Sequence, residues 1–286
     1  MPSTAILFPG QGSHTAEMAA ETAALRPDLL AHVVEVVGED PFPRAAESTA
    51  FAQPAILCAA LARFSQLAPT LDGPVVALGH SLGELGALVA AGQLDELDAL
   101  ALAAERGRLM AAAGTGGMVA VLGGTIEQAT ELADSFGLTV ANDNAPGQVV
   151  LAGSEADTKA AARGARGVGL RALRLDVTGA FHSPAMAAAR DGFEAALHAA
   201  TFTDVPVGSA AFSPTTVAPV TDPVAVLSQA LTSPVRFREA VLALHEAGVR
   251  RWIETGPGDV LAKLVGRILD APDVRVHTVR EAADVA

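Results

Sequence analysis

Residues 74–92, PVVALGHSLGELGALVAAG, decide the fold. Val75-Val76-Ala77-Leu78 is an apolar run of strand length, and beyond it Leu85, Leu88 and Val89 recur at helical spacing. Between them Gly79-His80-Ser81-Leu82-Gly83 is a G-x-S-x-G in a strand–turn–helix setting, the context that gives the motif meaning. A turn this sharp brings backbone against positions 79 and 83, where a Cβ would collide, and forces Ser81 into a strained conformation. The strain holds the Ser81 hydroxyl at the head of a helix. Free helix-end N–H groups, that of Leu82 among them, then face any oxygen that turns negative during attack on a carbonyl. A G-x-S-x-G arises by chance in many chains; the strand before it, the helix after it and the flanking His80 and Glu84 favour a nucleophile here.

Upstream, residues 5–8 form a short apolar strand that runs straight into Pro9-Gly10-Gln11-Gly12-Ser13. Glycines on both sides of Gln11 predict a tight loop whose backbone can approach a neighbour closely. Taken alone, this pentapeptide reads as a plain strand-to-helix turn, and it lacks the spacing and the lysine of a phosphate loop. Residues 15–37 read as helical with a break at Pro27, residues 39–48 as a polar connection, and residues 53–67 as a helix leading to the Ser81 strand. After the elbow, residues 94–110 read as a helix with Leu97, Leu100, Leu102 and Leu109 apolar and Arg106 and Arg108 near its end.

The remainder has two rhythms. From Met118 to Val177 the pattern is strand, helix, strand, strand, helix, strand, the order of a ferredoxin-like unit. Its ends lie close together, so it fits as an insertion. The expected organisation is a large subdomain from residues 1–116 and 179–286 and a small one from residues 117–178. The chain re-enters the large subdomain at Gly179-Ala180-Phe181-His182-Ser183-Pro184, ahead of a helix at 185–200. A lone histidine at such a junction reads as a cap or a surface group until a partner is named. Residues 201–222, with Pro206, Pro214 and Pro219, read as loop; helices at 224–232 and 236–247, a strand at 251–254 and a helix at 259–269 follow.

The chain has 286 residues, enough for a large core, and a formal charge of −13 that argues against nucleic acid as a partner. No apolar run has the length of a membrane span, and the first residues lack the basic start of a secretory signal, so the expected location is cytoplasmic. Cys58, the only cysteine, excludes an internal disulfide and a cysteine metal site, and its helical context reads as a buried structural thiol.

Seven separated motifs, FPGQGS at 8–13, GHSLGE at 79–84, ERGRLM at 105–110, NAPGQVVLAG at 144–153, GAFHSPAM at 179–186, SPVRF at 233–237 and ETGPGDVL at 254–261, resemble in order and interval the malonyl-CoA:acyl carrier protein transacylases, including the discrete acyltransferases of polyketide synthases. The resemblance implies an α/β fold, a hydrolase-like large subdomain with the ferredoxin-like insert, and a cleft between them. It implies Ser81 as nucleophile and His182 as its base, with the backbone N–H groups of Gln11 and Leu82 holding the oxyanion. It further implies Arg106 as the partner of a free acyl carboxylate, Phe181 as a wall against an α-methyl group, and the backbone carbonyl of Ala230, where relatives carry Gln or Asn, as the group that orients the histidine. No metal and no permanently bound cofactor are implied; the substrates are malonyl-CoA, a coenzyme A thioester, and an acyl carrier protein.

The carrier is acidic, so an arginine-rich patch is expected to receive it, with Arg163, Arg166, Arg171 and Arg174 or Arg250, Arg251 and Arg267 as candidates. Residues 38–52 are shorter than in typical relatives, which reshapes one wall of the entrance. Alternatives within the family are a discrete acyltransferase moving a non-malonyl group, including one that moves it between carrier proteins, and a hydrolase of carrier thioesters. An unrelated α/β-hydrolase esterase would need an acid between serine and histidine, for which Asp176 is the formal candidate.

Overall fold

The computed structural model describes residues 3–204 and 209–279. Residues 1–2, 205–208 with Pro206, and 280–286 of the segments assigned above to the large subdomain lie outside the described residues.

In chain order the first elements are β1 (Thr4–Phe8), α1 (Met18–Leu25), α2 (Pro27–Val37), α3 (Thr49–Leu67), β2 (Val75–Gly79), α4 (Gly83–Ala90) and α5 (Glu96–Ala112). Next come β3 (Gly117–Leu122), α6 (Ile126–Ser135), β4 (Thr139–Ala145), β5 (Gln148–Gly153), α7 (Glu155–Gly164) and β6 (Arg171–Arg174). The chain closes with α8 (Ala187–Ala199), β7 (Ser209–Ser213), β8 (Ala218–Pro219), α9 (Pro223–Ala230), α10 (Phe237–Glu246), β9 (Arg251–Glu254), α11 (Val260–Ile268) and β10 (Arg275–Thr278).

The large sheet has the order β10-β9-β1-β2-β7-β8, parallel except for β8. β1 is buried along its whole length, as a parallel strand covered on both faces must be. Its alternation sorts the two cores: Ile6 and Phe8 pack with α3, α4 and α5, whereas Ala5 and Leu7 pack with Trp252, α10 and α11. The result is a helix–sheet–helix sandwich in which the loops after β1 and β2, carrying Gln11 and Ser81, emerge together at the carboxyl ends of neighbouring strands.

The smaller antiparallel sheet runs β4-β5-β3-β6, the second-third-first-fourth order of a ferredoxin-like unit. Val119, Val121, Val149 and Leu151 on one face pack beneath α6 and α7, while Met118, Val150 and Ala152 on the other join the core of the large subdomain. The chain enters and leaves this unit side by side: Ala180 N donates to Thr115 O at 3.1 Å, and a Cβ at Gly114 would lie 2.4 Å from Thr178 O. Asp143 N and Val235 N reach across to Val235 O and Ala141 O at 2.9 Å each, and Asp143 takes a bidentate ion pair from Arg238 with a shortest contact of 2.7 Å.

Several element bounds differ from the sequence reading. α3 starts at Thr49 because Ser48 caps it, and α5 starts at Glu96 because Asp95 caps it. Leu97 points outward and is 42% exposed. β4 extends through Ala145, and β6 stops at Arg174, Leu175 N making one more bond to Met118 O at 3.0 Å before residues 176–177 line the cleft. Residues 184–186 form a short 3₁₀ turn before α8. β7 and β8 occupy a stretch read as loop, and β10 a stretch read as tail; β7, sequence SAAFS, has one large side chain and gives almost no strand signal, yet it pairs in parallel with β2.

Candidate active site

The elbow takes the form its glycines predict. Ser81 has φ +55°, a left-handed value that a non-glycine residue holds only when its surroundings enforce it. A Cβ at Gly79 would lie 2.0 Å from Gly83 C, and one at Gly83 would lie 2.0 Å from Phe8 O. The Gln11 loop is pressed against the elbow in the same way: His80 N donates to Phe8 O at 3.0 Å, and a Cβ at Gly10 would meet His80 O at 2.6 Å. Among the described residues neither Leu82 N–H nor Gln11 N–H has a protein acceptor. A buried N–H without a partner is uncommon, and Leu82 is 1% exposed.

Ser81 Oγ lies 2.7 Å from His182 Nε2 across 101 positions of sequence. His182 is also left-handed at φ +56°, and its Nδ1 lies 2.8 Å from Ala230 O. That carbonyl closes α9, where the last turn leaves acceptors without helical partners. The residue four places on, which would ordinarily donate to it, is Pro234 and has no N–H. The carbonyl therefore takes the Nδ1–H and leaves Nε2 unprotonated toward the serine. Burial, with the Arg106 charge next in importance, drives the His182 imidazole down to about 3, against the pull of the Ala230 carbonyl. With Nδ1 occupied by a backbone oxygen, Asp176, an exposed residue of the cleft wall, is not the third member of a triad.

Arg106, on α5, is 2% exposed. One terminal nitrogen donates to Gln53 Oε1 at 2.8 Å and the other to Ser81 Oγ at 3.2 Å. Among the described residues no carboxylate lies within ion-pair distance of it. Burial pulls its guanidinium down to about 10, opposed by the charge of Glu84. Glu84, itself buried, is pushed up to about 7 by desolvation, against hydrogen bonds from Ser213 Oγ and Thr215 Oγ1. Glu84 acts on the guanidinium only from beyond ion-pair distance, so Arg106 is a buried cation with no carboxylate in direct contact among the described residues.

Gln11, Ser81, Leu82, Arg106, Phe181 and His182 all line one cleft of about 530 Å³, completed on the small-sheet side by Asn142, Asn144, Val150 and Leu175. Phe181 is 6% exposed and turns its ring over Gly179. Sequence reasoning missed Thr49 and Gln53, buried polar side chains of α3, and the contact of His80 Nε2 with Asn144 Oδ1 at 2.8 Å. His14 also stands at the cleft wall. A glutamine just before a proline in an otherwise apolar helix was the one available signal for Gln53.

The candidate docking arginines separate. Arg174 pairs with Glu155, Arg250 with Asp273, and Arg267 is tied to Pro146 O. Arg163, Arg166 and Arg171 are exposed and form no ion pair among the described residues. Arg171 and Leu173 pair with Leu122 and Ala120 on the face of β6 opposite Ala172, which packs beneath the helices. Leu173 is 63% exposed and shares its face with Leu175 of the cleft. Cys58 is fully buried, which pushes its thiol up to about 12, and Arg108 lies at the surface beside Glu105. Among the described residues no helix is long and apolar enough to cross a membrane.

The acyl transferase domain family matches residues 6–281. The polyketide biosynthesis protein ThaF of Burkholderia thailandensis is 38% identical over 93% of this chain, which spans only 24% of that longer protein. The malonyl CoA-acyl carrier protein transacylase of Bacillus subtilis is 35% identical, with 94% of this chain and 91% of that protein covered. The crystal structure of an acyl carrier protein S-malonyltransferase from Vibrio cholerae superposes with a TM-score of 0.90 at 33% identity, covering 99% of this chain and 100% of that one.

Proposed function

The chain belongs to the acyl transferase domain family, and on that premise we propose that it transfers malonyl from coenzyme A to the phosphopantetheine thiol of an acyl carrier protein, by a ping-pong route through an ester on Ser81. The observation that carries the acyl group's identity is Arg106. A cation buried without a counter-ion lies 3.2 Å from Ser81 Oγ, within reach of a carboxylate one methylene beyond the ester carbonyl. A malonyl group neutralises it with charge-assisted hydrogen bonds; an acetyl methyl leaves it unpaired in a dry site. Phe181 narrows the same cleft against an α-methyl branch.

In the first half-reaction Ser81 Oγ attacks the thioester carbonyl while His182 Nε2 takes its proton. The carbonyl π pair moves onto oxygen, where the N–H groups of Gln11 and Leu82 receive it; losing one such donor typically costs about 3 kcal/mol of barrier. The pair returns, the carbon–sulfur bond breaks, and the thiolate of coenzyme A leaves with the proton from His182. In the second half-reaction the carrier thiol gives its proton to His182, its sulfur attacks the Ser81 ester, and the serine recovers the proton as malonyl departs. Burial keeps the His182 imidazole neutral through the physiological range, so the Nε2 lone pair is available to take the serine proton. Ser81, His182 and the two thiols carry every proton and electron pair, so the reading calls on no metal or resident cofactor.

The same reading takes residues 117–178 as the small subdomain and residues 1–116 with 179–286 as the large one, and places the enzyme in the cytoplasm. Arg171 beside exposed Leu173 is its docking candidate for the acidic carrier.

Intact-mass measurement after incubation with malonyl-, methylmalonyl- and acetyl-CoA tests the reaction. A malonyl adduct dominates on the parent and is absent from Ser81→Ala. An acetyl adduct dominating on the parent would refute the dicarboxylate reading.

A further inference from the structure

Behind Arg106 lies a second row of buried polar groups that the reaction as written does not use. Thr49 and Gln53 sit four residues apart on one face of α3, and are 5% and 1% exposed. α5 approaches α3 closely at this level because residue 107 is glycine: a Cβ there would lie 2.7 Å from Thr49 O. The approach brings Arg106 against Gln53 and closes a continuous chain of hydrogen bonds. Thr49 Oγ1 donates to Gln11 Oε1, Gln53 Nε2 donates to Thr49 Oγ1 at 3.1 Å, Arg106 donates to Gln53 Oε1 at 2.8 Å, and its other arm reaches Ser81 Oγ at 3.2 Å.

The inner links of this chain have one polarity. A guanidinium only donates, so Gln53 must present its oxygen to Arg106 and its nitrogen to Thr49; the threonine hydroxyl, accepting from Gln53, donates its proton to Gln11 Oε1. The second amide proton of Gln53 is directed at Met110 Sδ, 3.2 Å away. Buried networks with one allowed arrangement transmit displacements instead of absorbing them. One end of this row is the side chain of the residue whose N–H receives the oxyanion, and the other is the group that receives the acyl carboxylate.

We propose that Thr49 and Gln53 are positioning residues that couple occupation of Arg106 by an acyl carboxylate to placement of the Gln11 loop, so that the site selects its acyl group in the rate of acylation as well as in binding. The proposal rests on the roles given above to Ser81, Arg106 and Gln11. A carboxylate entering the site competes with Ser81 Oγ and Gln53 Oε1 for the guanidinium. Any movement of that arm is passed by Gln53 to Thr49 and on to the Gln11 side chain. A methyl group makes no such demand, so an acetyl thioester reacts against an oxyanion site left in its resting position. Interactions that strengthen only as the reaction proceeds raise the rate of the chemical step, whereas uniform ones change binding alone.

The test is single-turnover acylation of Ser81, followed by rapid quench and intact mass, with malonyl-CoA and acetyl-CoA at varied concentration on the parent, Thr49→Val and Thr49→Ser. Thr49→Val keeps the shape, removes the hydroxyl that links Gln53 to Gln11, and leaves the Arg106–Gln53 contact in place. The expected result is a fall of about 10- to 100-fold in the limiting malonyl rate, with half-saturation and the acetyl rate each moving less than about threefold. Thr49→Ser, which restores the hydroxyl, returns the malonyl rate to within about threefold of the parent. Equal losses with both thioesters would mean that Thr49 merely holds the loop, and no loss with either would mean that the row is inert; each overturns the coupling while leaving the acyltransferase reading intact. A parent that forms no malonyl ester on Ser81 would refute that reading instead, and the coupling with it. Melting temperatures of the three proteins separate a folding defect from a rate effect.

Discussion

Arg106→Met sets the stability of the empty enzyme against its specificity. Burial of the guanidinium without a counter-ion in contact pulls it well below its ordinary value, to about 10, a penalty on the charged form of roughly 3 kcal/mol. Methionine fills similar volume and carries no charge. Its cost is the orphaned Gln53 Oε1, about 1–3 kcal/mol for a buried acceptor left unpaired; Ser81 Oγ keeps its contact with His182. The balance lies between no change and about 2 kcal/mol of stabilisation, although two hydrogen bonds have been deleted, and at about 2 °C per kcal/mol the melting temperature rises by 0 to about 4 °C. Malonyl acylation moves the other way. The incoming carboxylate now enters a dry pocket unpaired, at about 3–5 kcal/mol, which is a loss of about 10²- to 5 × 10³-fold in acylation rate per molar malonyl-CoA. Acetyl-CoA is spared the mismatch and reacts within about tenfold of the parent rate or faster. Scanning calorimetry and quenched single-turnover mass measurements on the same preparations give both numbers. A melting temperature lowered by about 4 °C or more would show that the hydrogen bonds outweigh burial, and equal losses with the two thioesters would remove Arg106 from acyl recognition.

Stability should also depend on pH through Glu254, which is fully buried, accepts from Ala262 N at 2.7 Å through Oε2, has no hydrogen-bond partner for Oε1 among the described residues, and is pushed up to about 7 by desolvation. A raised carboxyl contributes stability that is complete below its unfolded value near 4.5 and is lost as pH rises through about 7. The unfolding free energy of the parent, from urea titration, should therefore fall relative to that of Glu254→Gln between pH 5 and pH 8, by an amount on the order of 1–3 kcal/mol, and parallel curves would refute the assignment. At the cleft mouth, Arg171→Glu should lower transfer from the acyl-enzyme to a holo acyl carrier protein about tenfold at low salt, and less at high salt, while acylation by malonyl-CoA stays unchanged. Transfer that is indifferent to the reversal would move the docking surface elsewhere.

The parts of this site that are legible in sequence are those where backbone geometry demands a residue type. Gly79 and Gly83 announce the elbow because nothing larger fits there, and Gly10 marks the loop that abuts it. The split strand–helix order of residues 118–177 declares the small sheet through apolar periodicity alone. That Ser81, His182 and Arg106 converge was readable only through the resemblance, since no local pattern carries a contact across 101 positions. What escaped depends on neighbours. β7 is a central strand written in alanine and serine, its identity supplied by β2 on one side and β8 on the other. Thr49 and Gln53 look like ordinary helix residues until α5 arrives against them, and the ion pair between Asp143 and Arg238 joins β4 of the small sheet to α10.

Pro234 carries a last consequence. By withholding an amide proton four places beyond Ala230 it leaves one peptide oxygen free to steer the histidine ring, so the steering is encoded at a position that never touches the imidazole. Position 230 supplies that oxygen from its backbone whatever its side chain, although at 2% exposure it admits only a small one. Exchange of the proline would bring in a rival donor for that oxygen, and the tautomer on which the nucleophile depends would lose its anchor.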